Sequence, residues 1–337
     1  MKGVPSMNLS LHATPTRRHL LAVLGCLIAA ASLAHLPALG QTTGNRPIRM
    51  IVPFAAGSNT DAVARLIAPG LGERLGATII IDNRAGANGV IGADAVAKAA
   101  PDGLTFLVGG ASINVVNPAL YKTLPYDPLR DLVPVARIGL APLMLVVHPS
   151  LPFSNVAGLI DYAKKNPGKI AYGTPSSITM VTMETLKREA GIDMLSVPYK
   201  SSPQAITDLI ANQIQIIASD FATAIQHVKA GKMRVIAVTM AKRSSLLPDV
   251  PTVDDVLKGF DITAWTAVFA PRGTAPETVA RMATAIEAVL ATRDVQDKLA
   301  NIGFDIAPLG QEAFSRYVPA EIQNWSRLIR QAGIQPE

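Results

Sequence analysis

The chain has 337 residues, with 31 Lys and Arg against 25 Asp and Glu, a formal charge of +6, five histidines and a single cysteine. The basic excess is not a nucleic-acid signature, because lysines and arginines past residue 40 are scattered and no basic stripe interleaved with aromatics occurs. One cysteine excludes a disulfide framework, so stability has to come from one or two sizeable cores rich in Ala, Val, Ile and Leu.

The first forty residues read as an export signal. Lys2, Arg17 and Arg18, with no acid among them, precede the apolar LLAVLGCLIAAASLAHLPALG, and the small-residue pattern at 38–40 marks cleavage near Gly40. Residues 16–21, TRRHLL, partly match a twin-arginine signal. A membrane anchor and lipidation at Cys26 are the alternatives. His35 and Pro37 interrupt the run that a span needs, and Leu24 is bulky for a lipidation motif. Cleavage removes half of the formal charge together with the cysteine, so the mature chain forms no disulfide.

From residue 48 short apolar runs alternate with helical patterns. IRMIV (48–52) leads through the turn PFAAGSNTD (53–61) to a helix ending in GERL, then come ATIIIDN (77–83), the turn NRAGAN, the helix GVIGADAVAKAA (89–100) and LTFLVGG (104–110). Near-continuous Ile and Val runs separated by helices predict a parallel sheet covered on both faces. The same order returns: KIAYG (169–173), TPSSIT, a helix, MLSVPY (194–199), the helix SSPQAITDLIANQ, IQIIASD (214–220), a further helix and MRVIAVT (233–239). Two βαβαβ blocks predict two doubly wound α/β domains with a cleft between them. PLMLVVHPS (142–150) and FDITAWTAVFAP (260–271) are read as two interdomain crossings. The expected division is a leader at 1–40, a first domain at 41–142 and 265–337, and a second at 143–264, with helices around 276–292 and 311–332 returning to the first.

Ligands of open parallel sheets collect at the carboxyl ends of strands, where loops run into helix N-termini. Four such loops, AAGSNT, NRAGAN, GTPSSIT and YKSSP, are small, polar and rich in backbone N–H groups, two from each block. Facing one another they would suit a small anion. Ser58 and Asp61 have the spacing of a capping box, so that loop has a purely structural reading too. Gly86 and Gly89 let the backbone approach a ligand while Asn88 caps the following helix, or the same residues simply make a tight turn. Ser201 is a helix cap with Pro203 behind it. Tyr199 walls a ligand or fills the core. Asp220 lies at the cleft rim and accepts from a ligand amine or hydroxyl, or caps the next helix. Arg84 either binds a carboxylate or fixes its loop by pairing with an acid, and Lys200 either meets an anion or is solvated.

Other chemistries lack their parts. His148 and His227 are the histidines outside the leader, which leaves no nitrogen or sulfur metal site. GGASIN (109–114) lacks the last glycine of a nucleophile elbow, and no phosphate-loop motif occurs. No cofactor is implied, and no acid–base pair for an enzyme is visible.

Taken together, IVPFAAGSNTDAVAR, NRAGANGVIGADAVAKAAPDGLTFLVG, NPALYKTLPYDPLRDL, VPYKSSPQAITDLI, AVTMAKRSSLLPDVPTVDD and FAPRGTAPE resemble the solute-binding proteins of tripartite tricarboxylate transporters, the Bug-type extracytoplasmic receptors, over essentially the whole mature chain. The resemblance implies a monomeric periplasmic binding protein whose two domains close on a small organic carboxylate and deliver it to a two-component membrane permease. A sensory receptor that presents the liganded form to a signalling partner is the alternative. Family binding loops fall on Phe54, Ala56, Gly57, Ser58, Asn59, Thr60 and Asp61, and on Gly86, Ala87 and Asn88. They also fall near Ser112, on Thr174, Ser176, Ser177 and Thr179, and on Tyr199 and Ser201, with Asp220 beside them. Phe54, Ile113 or Ile178 would meet the organic part. Two loops depart from the family pattern. The first usually reads PFPPGG-x-TD and here has Ala55, Ala56, Ser58 and Asn59; the other often leads from YGS to a histidine and here reads YGTPSSITMVTME.

Overall fold

The sheet of this protein is organised around one long strand. The computed structural model describes residues 46–244 and 247–336; the expected export signal and Cys26 lie outside the described residues. The first half alternates as predicted through β1 (Ile48–Val52), α1 (Asn59–Leu75), β2 (Ile79–Asn83), α2 (Val90–Ala97) and β3 (Thr105–Gly110), with β1 parallel to both β2 and β3. A π-helical turn (Ser112–Val116) and the short α3 (Asn117–Leu120) follow. Strand β4 then runs from Leu132 to Val147. Beyond it lie α4 (Val156–Lys165), β5 (Ala171–Thr174), α5 (Ser177–Ala190), β6 (Leu195–Pro198), α6 (Ser202–Ile210), β7 (Ile216–Asp220), α7 (Phe221–Lys229) and β8 (Arg234–Val238). The chain ends with β9 (Thr263–Pro271), α8 (Pro276–Leu290), α9 (Arg293–Asn301), β10 (Asp305–Leu309) and α10 (Gln311–Gln331).

Strand order is β2-β1-β3-β9-β4-β7-β5-β6, with β10 and β8 also paired to β4. Residues 132–142 of β4 pair with β9, and residues 143–147 pair with β7 and β8. One strand thus serves as the centre of both halves. The segment read as a crossing at 142–150 is the second part of this strand, which ends at Val147. The expected parallel sheet is mixed, because β9 runs antiparallel to β3 and β4, and β4 runs antiparallel to β7 and β8. Chain reversal at both crossings forces that change of direction.

Burial explains the near-continuous apolar strands. In β1, Met50 and Val52 pack on one face with Ile67 and Leu71 of α1 and Met282 and Val289 of α8, whereas Ile51 joins the core on the other face with Val96 and Phe314. In the second half, Tyr172 and Ile216 pack with Val181 and Leu186 of α5, while Ile217 faces Leu209 and Phe221. Each such fully buried side chain contributes about 1.5–3 kcal/mol relative to exposure. The C-terminal helices return to the first half, with α8 lying on α1 so closely that Val289 meets Gly70.

Candidate ligand-binding cleft

Four helices begin at the carboxyl ends of strands or just after them, and each is capped by a short polar side chain. Ser58 caps α1 and accepts from the Asp61 N–H at 3.3 Å. Ser176 caps α5 in a reciprocal box with Thr179, whose hydroxyl accepts from the Ser176 N–H at 3.1 Å. Ser201 caps α6, and Asp220 caps α7 by accepting from the Thr223 N–H at 3.0 Å. A cap satisfies one of the orphan N–H groups of a first turn; the others remain available to a ligand, backed by roughly half a positive charge.

These ends meet at a cavity with about 70 Å³ of space for a water-sized sphere, lying beside the point where β4 passes between the halves and β9 begins. Ser58, Asn59 and Thr60 line it from α1, Ser112 from the π-helical turn, Ser176, Ile178 and Thr179 from α5, Ser202 from α6 and Asp220 from α7. Phe54, Leu143 and Trp265 add apolar wall. Among the described residues no lysine, arginine or histidine lines it. Any negative charge bound there is therefore met by N–H groups, hydroxyls and helix ends. Each helix end is worth typically about 0.3–1 kcal/mol, and up to about 2 when partly buried.

Asn88, Thr174 and Tyr199 line a second, larger cavity of about 490 Å³ that shares Ser176 with the first. The Tyr199 hydroxyl donates to Asp208 at 2.8 Å, and burial together with that carboxylate pushes its pKa up to about 12. Glu184 lines this cavity too, bonded by the Tyr172 hydroxyl and ion-paired with Lys187 at 3.3 Å. The remaining predicted residues line neither space. Ala56 and Gly57 are exposed on the loop, Ser177 is buried with its hydroxyl bonded to the Ser112 carbonyl at 3.4 Å, and Ser201 stands one residue before the wall.

Asp61 is turned away from the ligand space. Its carboxylate accepts from the Gly57 N–H at 2.9 Å, from Arg65 Nε at 3.0 Å and from Asn83 Nδ2 at 2.9 Å. Burial raises its pKa, but the bonds from Arg65, Gly57 and Asn83 outweigh this and hold it below the ordinary value. Asp61 thus shapes the loop that presents Ser58. Arg84 pairs with Asp82 at 3.1 Å, and Lys200 is exposed.

The turn at 86–89 is built on left-handed backbone: φ is +136° at Gly86, +47° at Ala87, +52° at Asn88 and +87° at Gly89. A side chain at Gly89 would begin 2.4 Å from Ile113 Cγ2. Asn88 is locked there by donating to the Tyr121 hydroxyl at 2.6 Å and by its carbonyl, which accepts from Asn117 Nδ2 at 3.0 Å. Ile113 itself is fully buried and supports this turn instead of lining the smaller cavity.

Sequence reasoning missed the floor of the cleft. Gly110, Ala111, Ala141, Leu143, Ala264, Trp265 and Thr266 all line it. They lie where β3 ends, where β9 begins and within β4, beside the crossings, and no local motif marks them. Gly110 is held to glycine by the Trp265 carbonyl, 2.2 Å from where a Cβ would stand.

Comparison with known proteins fixes the lineage of this cleft. The family model for the tripartite tricarboxylate transporter family receptor matches residues 63–334. The chain belongs to that receptor family. BugT of Bordetella pertussis is 35% identical over 318 residues, covering 93% of this chain and 97% of the relative. Among solved structures, R. palustris Rpa4515 with adipate superposes with a TM-score of 0.85 at 36% identity, covering 88% of this chain and 100% of that one. MatC from Rhodopseudomonas palustris with bound malate gives 0.79 at 30%, covering 84% and 99%. The family consists of periplasmic solute-binding receptors and not of enzymes, and the two halves around β4 are its binding-protein fold. Among the described residues no group of three or more His, Cys, Asp or Glu is placed to hold a metal, and no helix is long and apolar enough to cross a membrane.

Proposed function

We propose that this receptor captures a small organic carboxylate in the cleft and delivers it, in the closed form, to a two-component membrane permease of the tripartite type. The observation that carries the reading is the meeting of the α1, α5, α6 and α7 N-termini at one cavity whose wall, among the described residues, holds no cationic side chain. Such a site binds an anion through N–H groups and hydroxyls and releases it when the walls part. The solved relatives hold adipate and malate, both carboxylates.

In this reading the carboxylate sits among Ser58, Asn59, Thr60, Ser112, Ser176 and Thr179, with Phe54 and Ile178 against the organic part. Residues 41–142 with 265–337 act as one domain and 143–264 as the other, moving about the two crossings. Closure excludes water, and the lower local dielectric strengthens each hydrogen bond. The protein acts as a periplasmic monomer, exported by its N-terminal signal, and needs no cofactor.

The test is a thermal-shift panel on mature protein that has been unfolded and refolded to remove carried-over ligand. It spans mono-, di- and tricarboxylates, aromatic acids, amino acids and neutral amides. A carboxylate is expected to raise the melting temperature, and Ser58→Asp is expected to abolish the shift, since aspartate still caps the helix but brings a negative charge to the site. A response confined to neutral compounds would refute the reading.

A further inference from the structure

One side chain in the cleft is ill-suited to a site that takes anions and nothing more. Asp220 ends β7, caps α7 and lines the same small cavity as Ser58, Ser112 and Ser176. Its Oδ1 accepts both bonds from Thr223, the N–H at 3.0 Å and the hydroxyl at 2.9 Å, the N–H of Asp220 itself also favours the carboxylate, and no other described side chain donates to it. Asp220 is partly exposed to the cleft, so its carboxylate keeps accepting capacity that water fills in the open form and that a bound molecule has to fill once closure excludes water. Among the described residues no basic side chain lines the cavity to offset it. A second carboxylate placed beside Asp220 would meet like charge in a poorly screened space, and the helix ends are too weak to cancel that repulsion. Burial raises the Asp220 carboxyl above the ordinary range against the bonds from Thr223 and its own N–H, and a donor on the solute favours the ionised form.

We propose that Asp220 is a specificity-determining residue that reads a hydrogen-bond donor on the solute. The ligand is a short carboxylate bearing a hydroxyl or an ammonium close to its carboxyl group, and a plain dicarboxylate is disfavoured. The cavity is small enough that both groups of such a ligand stay within reach of the same walls. This assignment rests on the carboxylate reading above and narrows it to hydroxy acids and amino acids.

The experiment uses the refolded mature protein and isothermal titration with matched three- and four-carbon ligands: the plain monocarboxylate, its 2-hydroxy derivative, its 2-amino derivative, and the plain dicarboxylate. Wild type is expected to bind one donor-bearing ligand about tenfold or more tighter than either plain acid, because with water excluded on closure a missing donor leaves the Asp220 acceptor unpaired. The hydroxy and amino arms tell which donor is read. Asp220→Asn keeps a good helix cap and is expected to bring the donor-bearing and plain acids to within about threefold while strengthening the dicarboxylate. Asp220→Ser, also a cap former, repeats the test should the first variant fold poorly. Carboxylate binding with the same ratios in wild type and both variants would overturn the role of Asp220 alone. Equal wild-type affinity for the dicarboxylate and the hydroxy and amino acids would do the same. No binding of any carboxylate by wild type would overturn the clamp reading together with it.

Discussion

The hydroxyl of Thr239 donates to the carbonyl of Ile262 at 2.7 Å and lies 3.3 Å from the carbonyl of Leu143, so one fully buried side chain bridges the two segments that cross between the halves of the sheet. The backbone repeats the link, with the Thr239 N–H on Leu143 and the Ile262 N–H on Thr239, both at 3.0 Å. Thr239→Val keeps the shape and strands a carbonyl. The expected cost is about 1–3 kcal/mol of stability, read as a lower urea midpoint with an unchanged slope. Thr239→Ser is expected to recover most of it. An unchanged midpoint in the valine variant would show that the bridge is dispensable.

Asp61 makes the first loop sensitive to acid. Its folded pKa lies below the unfolded value of 3.8, so its contribution to stability is fully present above that value and is lost as pH falls through the folded pKa. Asp82 and Asp131 are shifted the same way, Asp131 to about 2 through its bonds with Arg130 and the Asp127 N–H. Acid unfolding of wild type is therefore a shared effect, and the difference made by Asp61→Asn isolates one group. Denaturation midpoints at pH 7 and pH 3 are expected to lie closer together in Asp61→Asn than in wild type. An equal gap in both proteins would mean that the Gly57, Arg65 and Asn83 bonds do not favour the ionised form.

The repeated βαβ order was legible because buried parallel strands leave unbroken Ile and Val runs such as IRMIV and IQIIASD, and because Ser58, Ser176, Ser201 and Asp220 stand at helix starts. Residues 132–141 gave no comparable signal. Pro134, Arg137 and Gly139 interrupt the pattern, and the strand survives since bulges absorb the irregular register against β9. Strand β10 is short, partly exposed and marked by Pro308, so it reads as a loop. The cleft was half legible. Caps declare themselves by residue type, but Leu143, Ala264 and Trp265 line the cavity through the position of the crossings, which no local motif encodes.

Gly89 is expected to tolerate no side chain. Its φ of +87° disfavours one, and a Cβ would stand 2.4 Å from Ile113 in a wall that is itself fully buried. Gly89→Ala is expected to cost about 2–4 kcal/mol, the range of core overpacking added to left-handed strain. The check is a melting temperature lower by several degrees in ligand-free protein. Gly76→Ala serves as the contrast, because nothing lies within 4 Å of its added carbon and only the φ of +61° opposes it. A smaller loss at Gly89 than at Gly76 would mean that the Ile113 wall yields.

Two tryptophans give the cleft an internal reporter. Trp265 lines the cavity on β9, packed edge-on against Phe314 at 5.7 Å, and its indole N–H is buried with no partner among the described residues. Trp325 lies in α10 and donates to Glu321 at 3.2 Å. A ligand entering the cavity changes the polarity around Trp265 and leaves Trp325 alone. Trp325→Phe is therefore expected to keep the ligand-dependent change in emission, and Trp265→Phe to lose it while thermal shift still reports binding. The change following Trp325 instead would place the ligand outside the cavity that the four helix ends enclose.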